Sequence, residues 1–214
     1  MIDPLPFLTA ALPGIGGELK SRPEDFVVEE IPAYPPSGAG EFLFLWIEKS
    51  GLSSEQMVSH LARELHIAHQ DIGVAGMKDR QAVTRQMVSI PARCEADLSR
   101  FRHDQIRVLE SRRHGNKLRT GHLRGNRFSI LIRSAHADAL TRARAIADRL
   151  AVTGIPNYFG DQRFGRDNET LELGFELLRG TKRPGAIPRA RRKFLLRLAL
   201  SAVQSSLFNQ ALAA

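Results

Sequence analysis

The chain has 214 residues, 43 % of them hydrophobic, which is enough to bury a core and excludes global disorder. The length suits one domain, or one domain with part of a second. Lys and Arg number 31 against 23 Asp and Glu, a net charge of +8, and such an excess points to a polyanionic partner, either nucleic acid or an acidic membrane surface.

The N-terminal stretch MIDPLPFLTAALPGIGG is apolar but has no basic leader and is interrupted by prolines, so it does not read as a signal peptide. Residues 25–31 (DFVVEEI) and 41–48 (EFLFLWIE) are rich in β-branched and aromatic side chains and predict strands. The Pro/Gly-rich PAYPPSGAG between them predicts a loop. Residues 53–66 predict a helix, since Ser53 and Gln56 have capping-box spacing and Val58, Leu61 and Leu65 recur on one face. A short apolar run, 72–75, ends at Gly76 and opens a loop. Strands follow at 86–91, 105–110 and 127–133, the last (RFSILIR) with clear alternation. Cys94 is the only cysteine; it has no intramolecular disulfide partner and fits a reducing, cytoplasmic setting. Residues 138–152 predict a helix closed by Gly154 and Pro156. A polar, aromatic and glycine-bearing stretch comes next, IPNYFGDQRFGRDNETLELG, and a domain boundary is placed near Thr153. This divides the chain into 1–153 and 154–214. Residues 189–214 predict a long helix with Phe194, Leu195, Leu198, Ala202 and Val203 on one side. Without regular βα alternation, the order ββαββββα predicts an α+β domain with a mainly antiparallel, mixed sheet flanked by helices. No apolar stretch is long enough to span a membrane as a helix.

The charge is unevenly placed. From Lys78 to Arg133 there are 14 Lys and Arg against 5 Asp and Glu; a second basic run, Arg179 to Arg197, contains no acid. Stretches of this kind suit a surface that tracks phosphates. The scattered histidines have no metal-ligand spacing, GIGGELK (14–20) lacks P-loop spacing, and no nucleophile elbow is present. What stands out is GMKDRQAVTRQ (76–86). It places Asp79 between Lys78 and Arg80 in a loop behind a glycine, a setting that favours an ionised carboxylate able to act as nucleophile or base. A surface ion cluster is the plainer reading of the triplet alone. In GNRF, Asn126 and Phe128 suit contacts to an exposed base, although the alternation of RFSILIR by itself makes Phe128 a core residue. Phe26 in PEDF has the same two readings.

Four segments, LKSRPEDFVVEE, AGMKDRQAVTRQ, HGNKLRTGHLRGNRFSI and IPNYFGDQRFG, resemble in order the motifs of the TruD family of tRNA pseudouridine synthases, from about Gly14 onward. The resemblance implies a pseudouridine-synthase fold with a family-specific insertion beginning near NYFG. It also implies isomerisation of uridine to pseudouridine in transfer RNA, at position 13 in bacterial members, without cofactor or metal. Asp79 matches the family's catalytic aspartate. Lys20, Phe26, Asn126 and Phe128 match residues near its active site, and Lys78, Arg80 and Gln86 fall within the aspartate motif in supporting roles. Family members continue beyond this length, so the chain is expected to correspond to the N-terminal part and to leave the insertion unfinished. The competing expectation is a non-catalytic RNA-binding module.

Overall fold

The computed structural model describes residues 5–214; Met1–Pro4, the start of the apolar N-terminal stretch, lie outside the described residues. The described chain forms two compact units, one of residues 16–137 and one of residues 138–214 with the segment before Gly16. The division thus falls before the helix that follows Ala137, one helix earlier than the composition change near Thr153.

The 16–137 unit is built on a six-stranded sheet. Its strands are β1 (Phe26–Pro32), β2 (Phe42–Ser50), β3 (Gly73–Val74), β4 (Val83–Pro91), β5 (Ile106–His114) and β6 (Leu123–Ile130). The order is β5-β2-β4-β1-β6, with β3 also on β4. All pairings are antiparallel except β1 with β4, so the sheet is mixed and mostly antiparallel, flanked by helices, as the sequence predicts. The edge of β4 is shared. β1 occupies its first half through Val27↔Val83 to Glu29↔Arg85, and β3 occupies its second half through Gly73↔Ser89 and Val74↔Val88. The loop that carries Asp79 therefore leaves β3 and returns to the start of β4, beside the start of β1.

Strand alternation sorts the side chains. Leu43, Leu45 and Ile47 of β2 and Val88 and Ile90 of β4 face α1 (Ser54–Glu64), where Met57 and Leu61 are fully buried. Ser53 caps α1 with the predicted box: its hydroxyl accepts from the Gln56 amide at 3.1 Å, and the Gln56 side chain accepts from the Ser53 amide at 2.9 Å. Phe44, Trp46 and Met87 point to the other face, against Leu118 and Tyr34. A four-residue helix, α2 (Glu95–Leu98), was not predicted. β6 spans Leu123–Ile130 rather than 127–133.

The second unit contains α3 (Ala139–Thr153), α4 (Glu169–Leu178) and α5 (Arg189–Ala213). α4 begins in the polar, aromatic and glycine-bearing stretch, for which no element was predicted. Its Gly174 packs so tightly on α5 that a Cβ there would lie 2.4 Å from the Ala199 carbonyl oxygen. The buried side of α5 is Ala199, Ala202, Val203, Ser205, Ser206 and Asn209. On the predicted apolar side, Ala202 and Val203 are buried, whereas Phe194 is 62 % exposed. At Gly174 and Ala199 the close helix approach leaves room only for small side chains. Asn209 holds the NYFG segment, accepting from the Phe159 amide and donating to its carbonyl, each at 2.9 Å. Among the described residues, no helix is long and apolar enough to cross a membrane.

Candidate active site

Asp79 sits in the β3–β4 loop with its side chain 52 % exposed. The loop is held from beneath at three points. The Lys78 amide donates to Ser54 Oγ at 2.8 Å. Lys78 Nζ donates to Glu30 Oε2 at 2.6 Å, and Lys49 Nζ donates to the Asp79 carbonyl at 2.8 Å. Glu30 also accepts from the Met87 amide at 3.2 Å. Its carboxylate thereby takes over the β4 edge at the point where β1 leaves it and β3 has not yet begun. An unpaired amide there would otherwise be buried.

Lys20 reaches the same place from the other side. Its Nζ lies 3.7 Å from Asp79 Oδ1 and 3.9 Å from the centroid of the Phe26 ring, within cation–π range. Phe26 in turn meets Phe128 edge to face, with centroids 5.9 Å apart. The Lys20 segment is fixed by a bridge in which Glu18 and Arg133 exchange backbone hydrogen bonds of 2.8 and 3.1 Å. Gly17 makes this possible. It has φ +100°, and a Cβ would meet the Arg133 carbonyl oxygen at 2.6 Å. Lys20 itself has φ +56°, a conformation that costs a non-glycine residue about 1–3 kcal/mol and clusters at functional sites. The guanidinium of Arg133 grips Asp25 through two bonds of 2.6 and 2.7 Å. These hydrogen bonds, opposed by burial, hold the Asp25 carboxyl below its usual range.

Four expected site residues, Lys20, Phe26, Asp79 and Phe128, thus form one contiguous chain of contacts. Phe128 is 54 % exposed, which corrects the core reading from strand alternation: β6 closes the sheet order, and nothing in the unit covers its outer part. Asn126 is also exposed and lies opposite Glu30 in the register, two positions from Phe128 on the same face. Arg80 is exposed. Lys78 and Gln86 are not at the surface. The Lys78 side chain is 3 % exposed, and its charge is committed to Glu30. Gln86 is fully buried, and both its carboxamide atoms, like Thr84 Oγ1, lack hydrogen-bond partners.

Glu30 and Lys49 escaped the motif reading, yet strand periodicity carries a signal for both. Lys49 continues the inward series Leu43, Leu45, Ile47, and Glu30 follows Val28 inward on β1. A charged residue at an inward position of an apolar strand needs a partner. Among the described residues, no group of three or more His, Cys, Asp or Glu is placed to hold a metal ion.

The fold aligns with the crystal structure of a Methanosarcina mazei protein assigned to tRNA pseudouridine synthase D, with a TM-score of 0.72, 25 % identity, and coverage of 93 % of this chain and 51 % of that one. The family model for tRNA pseudouridine synthase D (TruD) matches residues 5–189, and the chain belongs to this family. Curated relatives with that name include proteins from Anaeromyxobacter dehalogenans, 50 % identical across 98 % of this chain, and Thermus thermophilus, 45 % identical across 95 %. The chain spans 59 % and 56 % of the lengths of these two relatives.

Proposed function

We propose that this chain supplies the catalytic aspartate of a tRNA pseudouridine synthase, and that Asp79 is that residue. Family membership supports the reaction class. The observation that supports the residue is the junction of Asp79, Lys20, Phe26 and Phe128 at one end of the sheet. Isomerisation breaks the bond between C1′ and N1 of uridine and forms one between C1′ and C5; C5 then loses its proton and N1 gains one, so the product is an isomer. A carboxylate promotes this either by attacking C1′ or by removing a sugar proton, and both routes need an exposed oxygen such as those of Asp79. The Lys20 ammonium supplies the counter-charge. The target uridine must leave its stack to be reached; Phe128 offers it a ring face, and Asn126 beside it offers hydrogen bonds. The basic segment from Lys78 to Arg133 grips flanking phosphates. Position 13 of transfer RNA is the target implied by the family resemblance, and no step calls for a cofactor.

In this reading Arg80 contributes charge toward the RNA, whereas Lys78 and Gln86 serve beneath the loop rather than against the substrate. The test is Asp79→Asn in a protein of the family's full length that contains this sequence. Pseudouridine formation, read with a carbodiimide reagent selective for pseudouridine, should vanish while folding and tRNA affinity persist. Wild-type turnover by the variant would remove Asp79 from the reaction. An RNA-binding module without chemistry would give no product from either protein.

A further inference from the structure

Lys49 has no exposed surface, yet its ammonium does not end on a carboxylate. It donates to the carbonyl of Leu52 at 2.7 Å and to the carbonyl of Asp79 at 2.8 Å. A buried cation is costly, and paired or fully hydrogen-bonded placement is what makes it tolerable. Here the bonds go to the main chain of the very residue whose side chain faces the substrate. The neighbouring polar groups are few. β4 contributes Thr84 and Gln86, both uncharged and without partners; α1 contributes Ser54, engaged with Lys78; β1 contributes Glu30, also engaged with Lys78. The charges that act on Lys49 are those of Asp79 and Lys78.

We infer that Lys49 is the positioning residue of the catalytic aspartate, its buried ammonium fixing the Asp79 main chain at the end of β2 so that the carboxylate is aimed at C1′. This rests on the assignment of Asp79 above. The Ser54 and Glu30 contacts hold residue 78; Lys49 holds the main chain of residue 79 itself, while Lys20 meets its side chain. Charge-assisted hydrogen bonds are roughly twice as strong as neutral ones, so the hold depends on the proton. Burial, reinforced by the Lys78 charge and opposed by that of Asp79, pushes Lys49 down to about 8. The grip on Asp79 therefore weakens as pH rises through that value.

Lys49→Met keeps the length of the side chain and removes the donor. In a full-length family protein carrying this sequence, the variant should lose about 100-fold in kcat, the scale of a 1 Å misplacement. Its KM for tRNA should stay near wild type. The decline of kcat expected in the parent as pH rises past about 8 should be absent from the variant. Amide hydrogen exchange across residues 76–82 should speed up in the variant. Wild-type kcat with an unaltered pH profile would overturn the inference. Should Lys49→Met fail to fold, Lys49→Gln, which is shorter and leaves only a neutral donor, decides in its place: wild-type kcat with unchanged amide exchange across residues 76–82 would overturn the inference. Asp79→Asn, measured alongside, separates the two claims. If it is inactive while Lys49→Met is normal, only the Lys49 role fails. If it turns over normally, the Asp79 assignment fails and takes the Lys49 role with it.

Discussion

Replacing Phe128 with alanine distinguishes a residue kept for RNA from one kept for packing. Fully burying a Phe side chain contributes about 1.5–3 kcal/mol. With 54 % of Phe128 exposed, roughly half of that is at stake, about 1 kcal/mol. The edge-to-face contact with Phe26 adds about 0.5–1.5 kcal/mol. Truncation should then cost about 1.5–2.5 kcal/mol of folding stability, well under the roughly 3–5 kcal/mol of a core Phe. Stacking on a base is worth about 1–3 kcal/mol, which corresponds to about 5- to 150-fold in affinity or kcat/KM. Urea unfolding gives the first quantity, and fluorescence anisotropy with labelled tRNA, together with turnover, gives the second. A stability loss above about 4 kcal/mol accompanied by normal RNA binding in the folded fraction would refute the assignment and return Phe128 to the core.

Three other outcomes follow from the same geometry. Glu30→Gln leaves the buried Lys78 cation without its counter-charge and should destabilise the protein by about 3–5 kcal/mol, read by urea unfolding; a loss below about 1 kcal/mol would mean the pair is solvated. RNA affinity should fall with salt: if about five phosphates are neutralised by the basic surface, log K against log salt has a slope of about −3 to −4 for single strands and steeper for duplex, and a flat response would remove the phosphate-tracking role. Because hydrogen bonds from Arg133 lower the Asp25 pKa, its stabilising contribution is fully present above the unfolded value of about 3.9 and is lost as pH falls through the lower folded value. The melting temperature of the parent should therefore drop more steeply below pH 4 than that of Arg133→Met, and equal slopes would show that the pair does not carry the acid sensitivity.

Much of the local structure was legible because it depends on neighbours in sequence. The capping box of α1, the helix from residue 139 and the strand character of β2 follow from side chains close along the chain, and the aspartate loop was recognisable from a glycine and two cations. α4 begins in a polar, glycine-bearing stretch for which no element was predicted; only the approach of α5 gives Gly174 its purpose. Phe194 lies on the apolar side predicted for the last helix, but that it is exposed while Ala202 and Val203 are buried depends on where α4 packs.

The sequence by itself determined which stretches become strands and helices, the basic character of the surface and the motifs that mark the family, since each is written in residues close along the chain. Only the tertiary structure decided that Lys20, Phe26, Asp79 and Phe128 meet. They are up to 108 positions apart, and it is the strand order β4-β1-β6, with β1 parallel to β4, that brings their ends together. It also decided that Phe128 is exposed while Lys49, in the same register row and on the same face of the sheet, is buried. Alternation assigns a side chain to a face of the sheet, but whether that face is covered depends on what packs against it from elsewhere in the chain.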